Sequence, residues 1–140
     1  MKVLLAVDGS DYTKRMLAYL GAHEEFLGTG NLFTALTVTV AIPPRVARFV
    51  DKATVENYCE EEANAVFKPI RAFAQQQHWD FSTAHVQGHA PEAIANYARD
   101  TKPDLIVMGC HGHSALGGII MGSTTSGVLA RCDIPVLLIR

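Results

Sequence analysis

The chain contains few cysteines, and they follow no pattern. Cys59, Cys110 and Cys132 are its three cysteines, an odd number with no C-x-x-C spacing. Disulfide-rich secreted domains and zinc ribbons carry denser, regularly spaced sets. The sequence therefore predicts neither a disulfide framework nor a zinc ribbon, and a reducing cytoplasm is the expected compartment.

The chain also lacks an excess of basic residues and a long apolar run. It has 12 Lys and Arg against 14 Asp and Glu, a formal net charge of −2, so nucleic-acid binding is not expected. The apolar run after Lys2 ends at Asp8, which is too short for a signal peptide or a membrane span. Its length and 49% hydrophobic content instead predict one globular domain over residues 1–140.

Several familiar functional motifs are incomplete. No G-x-G-x-x-G follows a predicted strand, and the P-loop spacing of 117–122 is followed by Ser123 where that motif requires lysine. His111 and His113 have no nearby carboxylate or cysteine that completes a metal-ligand pattern, so we predict no metal site. Cys110 is better explained as a packing thiol than as a nucleophile, since nucleophilic catalysis needs a positioned base, histidines nearby in sequence are weak evidence for one, and no catalytic triad is visible.

Apolar runs rich in Val, Ile and Leu alternate with segments of helical periodicity. The runs predict strands at 2–7, 32–40, 82–86, 104–109 and 135–139. The first helix should begin after Ser10 and end at Gly28, the second should kink or restart at Pro69, and the third should carry Pro91 in its first turn. This alternation predicts a Rossmann-like α/β fold, an open parallel sheet with helices on both faces.

A glycine-rich segment follows the fourth predicted strand. Gly109 and Gly112 come directly after it, and Gly122 precedes Ser123 and Thr124, which should begin a helix. Glycine allows the backbone to approach an anion, and the first amides of a helix carry partial positive charge and lack intrahelical acceptors. In open α/β sheets this arrangement binds nucleotide phosphates, although a flexible surface loop is the alternative interpretation.

Three further residues are expected at the same edge of the sheet. Asp8 ends the first predicted strand, and its carboxylate could accept hydrogen bonds from ribose hydroxyls. Asp8 could equally serve the turn or cap the following helix, and the two roles can coexist. Val40 and Met108 end strands beside the presumed site, so they are candidates to line an adenine pocket.

Four segments resemble the universal stress protein family, and the resemblance covers essentially the whole chain. They are residues 7–10, 88–94, 104–109 and 135–139. The family's nucleotide signature, G-x2-G-x9-G-[ST], is matched in full by Gly109, Gly112, Gly122 and Ser123. The resemblance implies that the chain binds ATP, alone or with magnesium.

The same resemblance implies a role for each binding residue. It places Asp8 on the ribose, and Val40 or its neighbours with Met108 beside adenine. It places the glycine loop, with Ser123, Thr124 and His113, on the phosphates. Two residues depart from the family's pattern. His113 stands where the family commonly has a lysine or arginine, and Cys110 stands where it commonly has a serine.

For architecture, the resemblance implies strand order 3-2-1-4-5 and a homodimer formed through the last strand, Val136 to Ile139. An apolar edge strand with unpaired backbone groups favours such pairing. The expected function is a cytoplasmic ATP-binding stress or regulatory protein that acts through nucleotide-dependent dimerisation or an unidentified protein partner.

Two other functions stay open on the sequence alone. One is a slow ATP-hydrolysing or adenylate-handling enzyme, although no base for activating water is evident beside the glycine loop. The other is a phosphorylated receiver-like switch, which needs an aspartate at the end of the third strand. The chain has Gln87, Gly88 and His89 there.

Overall fold

The structure of the chain is a computed structural model that describes residues 1–28, 30–110 and 121–140. Its strands are β1 (Lys2–Ala6), β2 (Leu32–Thr39), β3 (Asp80–Gln87), β4 (Leu105–Gly109) and β5 (Val136–Ile139). Its helices are α1 (Asp11–Ala22), α2 (Glu24–Leu27), α3 (Pro44–Ala47), α4 (Lys52–Gln76), α5 (Ala90–Thr101) and α6 (Ser123–Leu129). No helix within the described ranges is long and apolar enough to cross a membrane.

The five strands form one parallel sheet in the order β3-β2-β1-β4-β5. The predicted fold class and strand order are therefore confirmed. In β1, Leu4 pairs with Thr34 of β2 on one side and with Ile106 of β4 on the other. The strand order reverses between β1 and β4, and open α/β sheets bind ligands beyond the carboxyl ends of the strands at such a reversal.

The sheet carries a core on each face. Side chains alternate across a strand, so Leu5 packs with Met16 of α1 and Ile70 of α4, whereas Leu4 packs with Ile94 of α5 on the opposite face. Helix α6 covers the same face as α5. The carboxyl edge of the sheet therefore lies between the first turns of helices from both layers.

Two helices differ from their sequence predictions. The first predicted helix is divided at His23 into α1 and α2. Helix α4 continues without interruption through Pro69, which excludes a restart there, and a kink at Pro69 stays a prediction. The helix begins at Lys52, because the side chain of Asp51 accepts a hydrogen bond from the Thr54 amide at 2.7 Å and caps the helix.

Candidate functional site

A cavity of about 250 Å³ opens at the carboxyl edge of the sheet. Its described walls come from the ends of β1 and β4, the second half of β2, and the first turns of α1, α5 and α6. The cavity thus lies where the strand order reverses, which is the usual ligand position in this class of fold.

Six of the nine predicted binding residues line this cavity: Asp8, Met108, Gly109, Gly122, Ser123 and Thr124. Val40 is not among the described lining residues. It is 82% exposed and follows the last residue of β2, so strand pairing does not hold it over the cavity, and Val38 lines the wall instead. Gly112 and His113, like His111, lie outside the described residues.

The floor of the cavity is apolar. Met108 is buried at the end of β4 and packs with Leu36 of β2 and Ile94 of α5 in the core beneath α5 and α6. Val38 and Ala6 extend the same surface. Binding pockets typically combine such an apolar surface with a few directed polar groups, so this floor suits a flat aromatic group.

Asp8 lies in a turn that fixes its carboxylate at the cavity wall. Its Oδ1 atom accepts hydrogen bonds from the Ser10 amide at 2.9 Å and from the Thr13 hydroxyl at 3.0 Å. Gly9 adopts a φ of +75°, which favours glycine, and a Cβ there would lie 3.4 Å from Val66 Cγ2 on α4. The turn role expected for Asp8 is therefore present, and the residue also lines the cavity.

Thr125 joins α6 to the end of β4. Its side chain is 2% exposed, and its hydroxyl donates to the carbonyl oxygen of Gly109 at 3.2 Å. The amide of Gly122 donates to the carbonyl oxygen of Cys110 at 2.8 Å. These two contacts hold the first turn of α6, with Ser123 and Thr124, against the cavity. The first amides of a helix lack intrahelical acceptors, so this turn is suited to anionic groups.

Helix α6 also lies unusually close to α5. A Cβ at Gly127 would lie 2.5 Å from Pro91 Cβ, which no real side chain tolerates without movement. Arg131 then connects the two helices, donating to the Gly127 carbonyl at 3.0 Å and lying 3.9 Å from the Glu92 carboxylate. Glycine at position 127 is thus a packing requirement for the wall of the cavity.

The described cavity has little charge. Asp8 is the one formally charged residue among its described lining residues. Within the same part of the chain, no group of three His, Cys, Asp or Glu side chains could hold a metal ion. Backbone amides of α6, rather than lysine or arginine side chains, are therefore the described groups best suited to phosphate oxygens.

Two of the residues that build this site, Thr13 and Thr125, are not among those that the sequence predicts. Both are buried, and each forms its hydrogen bonds across a turn or a loop. For Thr125, the local sequence signal for a role in the site is its position directly after Ser123 and Thr124. For Thr13, the local signal is a hydroxyl in the first turn of the helix that follows Asp8.

Comparison with known proteins assigns the sequence to a family. A sequence model described as the universal stress protein family matches residues 1–140. A universal stress protein of Thermus aquaticus is 34% identical over 141 residues, covering 99% of this chain and 97% of the relative. The universal stress protein Slr1230 of Synechocystis is 32% identical over 139 residues, and the chain spans 42% of that longer protein.

Solved structures share the fold. The MJ0577 protein of Methanocaldococcus jannaschii superimposes with a TM-score of 0.81 at 26% identity, covering 99% of this chain and 94% of the other. A universal stress protein solved in complex with cAMP has a TM-score of 0.74 at 21% identity, covering 100% and 97%. An Arabidopsis thaliana family protein with AMP bound has a TM-score of 0.70 at 15% identity, covering 99% and 90%.

Proposed function

The chain belongs to the universal stress protein family, and on that premise we propose that it binds ATP in the cavity between the carboxyl ends of β1 and β4. The observation that carries the proposal is the convergence of six residues, chosen from sequence alone, on this one cavity. The adenine nucleotides bound by structural relatives, cAMP and AMP, support the same ligand class.

The residues present fit the three parts of an adenine nucleotide. The apolar floor formed by Met108 and Val38 suits the base, and the fixed carboxylate of Asp8 suits ribose hydroxyls. The first turn of α6, beginning at Ser123, suits the phosphates. We assign Gly112 to the phosphates through the family signature, and His113 through its position next to Gly112, where the family commonly has a basic residue. Magnesium binds mainly through phosphate oxygens and water, so it would enter with the ATP.

We propose that the protein acts as a cytoplasmic regulator through a nucleotide-dependent homodimer or a protein partner, rather than through dedicated catalysis. Strand β5 forms one edge of the described sheet, and three of its four side chains are only half-buried. An apolar edge of this kind favours pairing with a second copy through Val136 to Ile139.

The path from the cavity to that edge is short. Helix α6 begins at the cavity, and its Val128 packs in the same cluster as Val136 and Leu138 of β5. A nucleotide that binds the first turn of α6 can therefore bias the position of the strand that follows it. Coupling of this kind requires only that the ligand prefers one of two arrangements of α6.

The test is calorimetric titration of ATP into the wild type and the Gly122→Val variant. A branched side chain at Gly122 occupies space beside the phosphates, so we expect at least about ten-fold weaker binding. Leu129→Val places the same side chain at the exposed far end of the same helix, outside the described cavity lining, and serves as the matched control. Equal ATP affinity for folded Gly122→Val and the wild type would contradict the proposal.

A further inference from the structure

We propose that Thr13 is a positioning residue for ribose recognition, which it controls by holding the Asp8 carboxylate in place. The inference rests on the proposed nucleotide function and adds to it a residue that determines preference for the ribose hydroxyls. Thr13 lies in the first turn of α1, is 5% exposed, and lines the cavity beside Asp8.

The two residues are joined by a reciprocal pair of hydrogen bonds. The Asp8 amide donates to Thr13 Oγ1 at 3.2 Å, and the Thr13 hydroxyl donates to Asp8 Oδ1 at 3.0 Å. A threonine hydroxyl has one proton to donate. Because the Thr13 hydroxyl donates that proton to Asp8, it has none to donate to a ligand. Thr13 therefore acts on a ligand only through the Asp8 carboxylate.

This contact determines how the carboxylate is presented. Oδ1 of Asp8 also accepts from the Ser10 amide at 2.9 Å, so two donors from the chain meet on one oxygen. Anchoring one carboxylate oxygen in this way fixes the plane of the group and hence the position of the other oxygen. A receptor group ordered before binding avoids the entropy loss of ordering it on the ligand.

The expected effect is specific to the sugar. Ordering one side chain changes affinity by roughly three- to ten-fold. Thr13→Val keeps the shape of the side chain and removes both hydrogen bonds, so the preference for ATP over 2′,3′-dideoxy-ATP should fall by about that factor. Affinity for the dideoxy nucleotide should stay constant, because it lacks the hydroxyls that Asp8 would bind.

Calorimetry with both nucleotides on four proteins tests this inference: the wild type, Thr13→Val, Thr13→Ser and the control Thr37→Val. Thr13→Ser keeps the hydroxyl and should restore the wild-type preference. Thr37 is a buried threonine of β2 that is not among the described lining residues, so Thr37→Val should leave both affinities unchanged. Loss of affinity for both nucleotides in equal proportion, or an unchanged preference in Thr13→Val, would overturn the role of Thr13.

Failure of the inference and failure of the proposed function give different results. A wild type that binds neither nucleotide refutes the function itself. A wild type that prefers ATP while folded Thr13→Val keeps the same preference refutes only the inference. If Thr13→Val does not fold, nuclear magnetic resonance of the wild type still decides: the Thr13 hydroxyl proton should exchange slowly with water, with and without ATP. A freely exchanging proton would refute the contact.

Discussion

Replacement of Gly127 by alanine tests how the close approach of α5 and α6 builds the cavity. The added Cβ would lie 2.5 Å from Pro91 Cβ and 2.9 Å from Pro91 Cγ. Ordinary carbon contacts lie near 3.5–4.0 Å, so α6 must move by roughly 1 Å relative to α5. The rigid proline ring cannot rotate away, and the first turn of α6 should move with the rest of the helix.

Two opposing contributions determine the stability of Gly127→Ala. Alanine inside a helix is favoured over glycine by about 1 kcal/mol. Forcing an extra methyl group into a packed contact costs about 1–3 kcal/mol. The net expectation is a loss of about 1 kcal/mol, or roughly 3–5 °C in melting temperature for a chain of this size. Because the helix carrying the proposed phosphate contacts is displaced, ATP affinity should also fall several-fold.

Gly21→Ala is the matched control for this prediction. Its Cβ would lie 2.8 Å from the end of the Phe73 ring, on the face of the sheet opposite α5 and α6. The end of a phenylalanine side chain can shift, and alanine is favoured over glycine inside a helix by about 1 kcal/mol, so the variant should lose little stability and keep its ATP affinity. The measurements are thermal denaturation by circular dichroism and calorimetric titration of ATP. A Gly127→Ala protein that is as stable as the wild type and binds ATP equally well would refute this account of α6.

Three further changes have defined outcomes. Asp8→Ala should weaken ATP binding by about 1–3 kcal/mol through lost charge-assisted hydrogen bonds, and equal losses for ATP and 2′,3′-dideoxy-ATP in calorimetry would exclude a ribose contact. The odd-numbered residues of β5 direct their backbone groups toward β4, so Leu138→Pro removes a donor from the free edge and should yield a monomer, whereas an unchanged dimer in sedimentation would move the interface elsewhere. The Thr54 amide lowers the pKa of Asp51 from its ordinary 3.8, so this cap stabilises α4 fully above that value and loses its effect as pH falls through the lower folded-state pKa. Asp51→Asn keeps a capping oxygen without titrating, so its melting temperature should fall less than that of the wild type between about pH 5 and 2, and parallel curves would contradict this.

The fold was predictable because its strands are continuous apolar runs separated by helical periodicity. Prediction was weakest at the edge of the sheet. The apolar pattern predicts β3 over 82–86, whereas the strand spans Asp80–Gln87, because this edge strand begins and ends with the polar residues Asp80 and Gln87, which the pattern does not include. The break at His23 was missed because apolar spacing continues through it.

The site was predictable where it depends on local sequence. Asp8 and Gly122 flank elements whose ends must meet at one edge of a parallel sheet, so their convergence follows from topology. The apolar run predicts that β2 extends to Val40 and brings it beside the cavity, whereas β2 ends one residue earlier. Thr125 was missed because its partner, Gly109, is 16 residues away, and no local pattern encodes a hydrogen bond across that interval.

The most direct test of the central claim is an experimental structure of the protein determined with ATP and magnesium. We expect nucleotide density between β1 and β4, with adenine against Met108, ribose at Asp8 and phosphates at the first turn of α6 beginning at Ser123. Density for ATP at another surface, with this cavity empty at a nucleotide concentration that saturates binding in solution, would contradict it.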